Sequence, residues 1–158
     1  MDFREMQDRF NAEQRKVTED RIVVGGLFRT VLTINDGLKF KDGRTSKPKR
    51  LIIVGIDKAN KTCYGTVLVN TEMSPLSKVS PSYFATQYCL KQEDYPEYLD
   101  YNSYVDCGVL FAISFETLKT GEYFGVLNQN DITAIFDILE TTKAISTKDK
   151  KRFNIRRR

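Results

Sequence analysis

A run of basic side chains between Lys39 and Arg50 is the feature of this sequence that most directly offers chemistry. Positive charges on a loop beside a sheet can neutralise phosphate groups, although a solvated loop of the same composition binds nothing. Arg50 comes directly before the apolar run 51–56, so we expect a rigid element to hold its guanidinium. The basic residues of this run are Lys39, Lys41, Arg44, Lys47, Lys49 and Arg50.

Thr71 is the second candidate, because it follows the segment 62–69, whose residues are typical of a strand. A hydroxyl at the end of such a strand can project into a cleft. The alternative is a threonine that caps a turn, which is common at strand ends. Thr71 becomes a candidate for chemistry only if the fold brings it close to Arg50.

Four tyrosines recur every third residue within an acidic segment. Aromatic rings can stack on bases, but the neighbouring carboxylates would repel a phosphate backbone. We therefore favour a role in packing or in a protein interface. The tyrosines are Tyr95, Tyr98, Tyr101 and Tyr104.

The chain has no histidine, which removes the commonest general acid and base and a common metal ligand. Its three cysteines, Cys63, Cys89 and Cys107, form no Cys-x-x-Cys pair, so we expect buried free thiols rather than a zinc or redox site. No glycine-rich phosphate loop is present. We expect neither a cofactor nor a metal.

The net charge of +4 is unevenly distributed. Residues 143–158 carry eight basic side chains against Asp149 alone, a net charge of +7, which leaves the other 142 residues with −3. The basic end could clamp nucleic acid or dock an acidic partner, and a frayed, solvated terminus is the alternative.

Hydrophobic patterns predict the elements that must position these residues. Residues 1–20 predict a helix with Phe3, Met6, Phe10 and Val17 on one face. The continuous apolar run 51–56 predicts a central strand covered on both faces, and residues 39–50 before it predict a polar loop. The other predicted strands are 27–34, 62–69, 84–90, 103–109, 109–115 and the short segment 123–127, and a last helix is predicted to be capped at Asn130-Asp131 with Ile132, Ile135, Phe136 and Leu139 on its apolar face.

Several short strands between two helices indicate a mostly β, α+β fold with a small, partly open barrel. We expect a helical extension over 1–20, a barrel domain over 21–145 and a basic tail over 146–158. The charged N-terminus is unlike a secretory signal and no apolar stretch is long enough for a bilayer. We therefore expect a cytoplasmic protein with no membrane partner.

The order of these features resembles the PemK/MazF family of toxin endoribonucleases. The similarity covers about residues 26–143 and lies in pattern and order. The segments that carry it are Gly26-Leu27-Phe28, Pro48 to Val54, Thr66 to Thr71, Ser103 to Asp106 and Gly125 to Asp131.

The resemblance implies an SH3-like barrel, a homodimer, an antitoxin partner and metal-free cleavage of single-stranded RNA through the neighbouring 2′-hydroxyl. Arg50 would stabilise charge that develops on the scissile phosphate. Thr71 would hydrogen-bond that phosphate or relay a proton. The residues that would hold the RNA backbone are Lys41, Arg44, Lys47 and Lys49.

Two other hypotheses remain open. The family has an Arg-Pro order, whereas here Pro48 precedes Arg50, and this favours a non-catalytic barrel of the same fold that binds nucleic acid or a protein. The third hypothesis is an assembly protein that uses the tyrosine-rich acidic segment.

Overall fold

The structure is a computed structural model that describes residues 2–33, 36, 43, 45–69 and 80–156, and of 66–69 only the backbone. Within these residues six strands form one antiparallel sheet in the order β4-β5-β3-β2-β1-β6. The strands are β1 Gly26–Thr33, β2 Ser46–Asp57, β3 Thr62–Val69, β4 Gln87–Leu90, β5 Ser103–Ser114 and β6 Glu122–Val126. The helices are α1 Phe3–Arg15, α2 Pro81–Phe84, α3 Phe115–Lys119, α4 Gln129–Thr141 and α5 Thr147–Arg152, with short 3-10 helices at Glu19–Arg21 and Gln92–Asp94.

The sheet curls into a half-barrel, so the predicted mostly β, α+β class is confirmed. The register shifts between Leu27 and Phe28 against β6, and again between Ile53 and Gly55 against β3. Such bulges increase the local twist and bend the strand. No helix in the described part of the chain has the length and apolar character needed to cross a membrane.

The predicted burial of the central strand on both faces is confirmed. Ile52 and Val54 belong to one apolar cluster, whereas Leu51 and Ile53 belong to another. Successive side chains of a strand point to opposite faces, so β2 separates the two clusters. The first cluster also takes up α4, and the second takes up Phe115 and Leu118 of α3.

The prediction of a polar loop up to residue 50 is wrong for residues 46–50, which form the first half of β2. They pair with β1, and Pro48 lies opposite Val31. Proline lacks a donor and is tolerated where a strand is paired on one side only. The described pairing of β2 with β3 begins at Leu51 opposite Val67, after Pro48 in the chain. Residues 39–42 and 44 lie outside the described residues.

Helix α1 is shorter than predicted. It ends at Arg15, and Val17 leaves the helix and is buried in the second cluster. Phe3, Met6 and Phe10, on the predicted apolar face, are exposed. Asp2 caps the first turn by accepting from the amide of Glu5 at 2.8 Å.

Residues 103–114 form one long strand rather than two, and Ser114 ends it by capping α3 through the amide of Thr117 at 3.1 Å. Phe84, predicted to start a strand, belongs to α2, and β4 begins at Gln87. Pro75, Pro81 and four serines predict a loop over 72–82, and most of this segment lies outside the described residues.

The apolar face predicted for the last long helix is confirmed, but its cap is not Asn130-Asp131. Asn128 caps α4 by accepting from the amide of Asp131 at 3.0 Å. The Asp131 carboxylate is buried instead and accepts hydrogen bonds from the phenols of Tyr88 and Tyr95. Burial, reinforced by these bonds to Asp131, raises the pKa of both phenols.

The C-terminal segment is anchored by two apolar residues that the charge count conceals. Phe153 and Ile155 are buried in the first cluster, while the cations of α5 remain at least partly exposed. Phe153 packs on Tyr64 with 4.7 Å between ring centroids, and its carbonyl accepts from the amide of Ile56 at 2.8 Å. Gly55 permits this approach, because a Cβ there would lie 2.6 Å from Ile155.

Two of the three thiols are buried as predicted. Burial raises the pKa of Cys63 and of Cys107 to about 12, so both stay protonated. Cys89 is half-buried.

Phe153→Ala should lower the free energy of unfolding by about 3–5 kcal/mol, because it opens a cavity under the C-terminal segment. Urea denaturation followed by circular dichroism measures the loss. Lys148→Ala on the exposed side of α5 is the control and should change stability by less than about 0.5 kcal/mol. Equal stability of the two variants would show that the C-terminal segment does not pack as described.

Asp57 should contribute a pH-dependent part of the stability. Its carboxylate accepts from the Asn60 amide Nδ2 at 2.8 Å and from Arg152 Nε at 3.0 Å, and these bonds hold its pKa below the ordinary value. The contribution is therefore present above the ordinary pKa of about 3.9 and is lost as the pH falls through the lowered pKa. Asp57→Asn should lower the urea midpoint at pH 7, and the difference from the unmodified chain should shrink in acid. A difference that is constant with pH, or one shared by the exposed Glu93→Gln control, would contradict this.

Candidate anion-binding cleft

A cleft of about 490 Å³ opens where β1 and β2 leave the apolar core. Its walls are the paired strands, the segment 97–101 and the last residue of α1. Two acidic side chains, Glu97 and Asp100, lie beside aromatic side chains of the same walls. The cations that line it are Arg15, Arg29, Lys47, Lys49 and Arg50.

Arg50 lies on β2 directly opposite Arg29 of β1. It is half-buried, and its Nη1 donates to the carbonyl of Tyr98 at 3.4 Å. Its Cζ lies 5.8 Å from the centroid of the Tyr98 ring. The expectation that a rigid element holds Arg50 is confirmed, because the next residue of β2 is fully buried.

Tyr98 forms the inner wall beneath Arg50. Its hydroxyl donates to the carbonyl of Phe28 at 2.9 Å and approaches that of Leu51 at 3.4 Å, so one phenol joins β1 and β2. Burial raises the pKa of Tyr98, which keeps the phenol protonated and unsuited to act as a base. The packing role predicted for the tyrosines is confirmed for Tyr98 and Tyr95, whereas Tyr101 is 42% exposed at the edge of the cleft.

Glu122 partly neutralises two cations of the cleft. Its carboxylate lies 3.4 Å from Arg15 and 3.8 Å from Arg29, and all three side chains are 40% exposed or more. Exposed pairs of this kind contribute about 1 kcal/mol or less. An incoming anion could therefore replace Glu122 at a small cost.

Lys49 differs from Arg50 in direction. Strand alternation sends the two side chains to opposite faces of β2, and Lys49 pairs with the buried Thr30. Burial, with a smaller effect of Lys47, lowers the pKa of Lys49. Neither lysine forms an ion pair with another described residue. The ammonium groups of Lys47 and Lys49 are thus available to an anion, but on the opposite face of β2 from Arg50.

A second cleft of about 430 Å³ continues the first beneath α1 and shares Arg15, Glu97 and Phe124 with it. Arg21 lies there, 5.0 Å from the Tyr123 ring centroid, and donates to three carbonyls at the end of α1, at distances of 2.7 to 3.3 Å. Arg21 therefore fixes the end of the helix.

Three of the predicted site residues, Lys47, Lys49 and Arg50, meet at the cleft. Lys41, Arg44 and Thr71 lie outside the described residues, so the proximity of Arg50 and Thr71 stays a prediction.

Sequence reasoning missed Arg15, Arg29, Glu97 and Asp100. Arg29 interrupts the apolar pattern of β1 at an exposed position. This interruption could have identified Arg29 as a site residue from the sequence. The others are ordinary surface charges in sequence, because only the register of β1 against β2 and the course of 97–101 bring them to Arg50.

Comparison with protein-family models gave no match, and comparison with curated proteins gave none either. The residues of the cleft are therefore what indicates its chemistry. Guanidinium groups beside aromatic rings suit phosphate and base recognition, and two carboxylates are within the same walls. Within the described part of the chain no three His, Cys, Asp or Glu side chains are grouped so as to hold a metal ion.

Proposed function

We propose that the cleft binds single-stranded RNA, with Arg50 as the principal phosphate ligand. The observation that carries the proposal is the half-buried guanidinium of Arg50 on a rigid strand, at the wall of a cleft that Arg15 and Arg29 also line. A guanidinium held in this way offers a preorganised fork to a phosphate. Lys41 and Arg44, which precede β2 in the chain, would extend the contact to the RNA backbone.

A single strand suits the cleft better than a duplex. Tyr101 is exposed at the edge, and Phe124 and Tyr98 lie deeper, with 5.0 Å between the centroids of their rings. An unstacked base can bind the exposed ring of Tyr101, whereas the paired bases of a duplex are not available to it. The acidic groups Glu97 and Asp100 would restrict the backbone to the side of the cleft that β1 and β2 form.

The second candidate function is cleavage of the bound RNA, as in a PemK/MazF-like toxin endoribonuclease with an SH3-like barrel. The observation in its favour is that Glu97 and Asp100 line the same cleft as Arg50, because either carboxylate could act as the general base. One carboxylate would take the 2′-hydroxyl proton as O2′ attacks phosphorus. The P–O5′ bond then breaks, which yields a 2′,3′-cyclic phosphate and, after proton transfer, a 5′-hydroxyl.

In this scheme Arg50 stabilises the charge on the phosphate, and Thr71 hydrogen-bonds the phosphate or supplies the proton relay. A homodimer and an antitoxin partner belong to the same proposal.

Arg50→Ala should weaken binding of a fluorescent single-stranded RNA by about tenfold or more, as expected for loss of a charge-assisted hydrogen bond. Fluorescence anisotropy at two salt concentrations measures it, and the salt slope should fall with the lost contact. Lys58→Ala removes an equal charge from the exposed β2–β3 turn and should change affinity by less than about twofold. Equal losses of RNA affinity in the two variants would show that only the net charge of the protein matters. That result would contradict a phosphate site at Arg50.

If the chain cleaves RNA, product should form in the presence of a chelator and should disappear when the scissile nucleotide lacks its 2′-hydroxyl. Arg50→Ala and Thr71→Ala should abolish the product. One of Glu97→Gln and Asp100→Asn should reduce the rate by about a hundredfold or more while RNA still binds, and Glu93→Gln outside the cleft should not. Bound but intact RNA would exclude cleavage and leave the binding proposal standing.

A further inference from the structure

Helix α1 carries an apolar stripe that no described residue covers. Phe3, Met6 and Phe10 are 80%, 58% and 61% exposed, and no residue of the helix is buried. Their spacing of three and four residues aligns them along one face. Exposed large apolar side chains gathered in one place mark an interaction surface more often than isolated ones do.

The described contacts of α1 with the rest of the domain lie toward its C-terminal end. Arg21 binds the last carbonyls of the helix and Arg15 reaches Glu122. A helix of 13 residues is only marginally stable on its own. Packing of the apolar stripe against a partner would supply the stabilisation that the domain does not provide.

The charges of α1 indicate what kind of partner fits. Residues 2–15 carry four acidic and three basic side chains. A helix that lies on a membrane usually has a lysine- and arginine-rich polar face, and a net negative helix repels both anionic lipid and nucleic acid. The matching surface is therefore another protein helix with an apolar stripe.

We propose that this helix is α1 of a second copy of the chain, packed antiparallel about a two-fold axis at Met6. In that arrangement Met6 meets the partner's Met6, and Phe3 meets the partner's Phe10. A two-fold interface requires a self-complementary surface, and the spacing of the stripe about Met6 provides one.

The flanks of the stripe are also self-complementary. Asp2 and Arg9 lie on the same flank, seven residues apart, so antiparallel packing brings each Asp2 opposite the partner's Arg9. Arg9 has no hydrogen bond or ion pair with a described residue, and Asp2 uses only Oδ1 for its cap. The other flank carries the neutral amides of Gln7 and Gln14. No like charges therefore face each other along these flanks.

Three side chains from each copy bury far less than the roughly 800 Å² per partner of a standard interface. The dimer should be weak and dependent on concentration. The proposal does not rest on RNA binding or cleavage, and it concerns a surface outside the cleft.

Sedimentation velocity of the full chain, up to about 500 µM, should show a monomer–dimer equilibrium of the weak class. Met6→Glu should return the chain to monomer. Ala12→Glu adds the same charge to the exposed opposite face of α1 and should leave the dimer unchanged. A monomer throughout, or a dimer that Met6→Glu does not weaken, would overturn the proposal. So would binding of the chain to anionic vesicles through Met6.

A charge exchange tests the antiparallel register. Arg9→Glu should weaken the dimer by roughly two- to tenfold, because two exposed ion pairs become repulsive contacts. Asp2→Asn keeps a good helix cap and removes the carboxylate, so adding it to Arg9→Glu should recover part of the loss. Additive losses in the double variant would exclude the antiparallel pairing of Asp2 with Arg9.

Discussion

Burial of β2 on both faces is the constraint on which the other elements depend. Leu51 to Val54 are fully or almost fully buried, and alternate residues enter different apolar clusters. Each cluster needs its own cover, because a sheet face left in water would lose the hydrophobic free energy of its side chains. α4 and the anchors Phe153 and Ile155 cover one face, and α3 contributes to the other. Loss of either cover would expose the same strand.

The cleft lies where the burial of β2 ends. One residue before Leu51, the side chain of β2 is a half-buried arginine, and the strand continues outward with a lysine and a proline. Tyr98 closes the core at this point and joins the carbonyls of β1 and β2 through one hydroxyl. The same ring then supports the guanidinium of Arg50. A rigid cation at the edge of an apolar core is a favourable arrangement for binding an anion.

Charge in this region is mixed rather than uniformly positive. Glu122 holds Arg15 and Arg29, while Glu97 and Asp100 lie across the cleft from β1 and β2. Exposed pairs are weak and screened by salt, so they would not prevent exchange for a phosphate. Helix α1 contributes Arg15 to this cleft and leaves its apolar stripe on the outside. Its two faces thus serve different proposed partners.

The sequence by itself determined the existence of most elements, because apolar periodicity reports which residues must leave water. It predicted β1, β3, the covered core of β2, the apolar face of α4 and the position of Arg50 against a buried strand. Proline and a cluster of lysines concealed the first half of β2, since pairing with β1 overrides local preference there. Basic composition likewise concealed the burial of Phe153, which depends on the space above Gly55. Only the tertiary structure brought Arg29, Glu97 and Tyr98 to Arg50, because strand register and the path of a connecting segment are set by contacts between residues far apart in the chain.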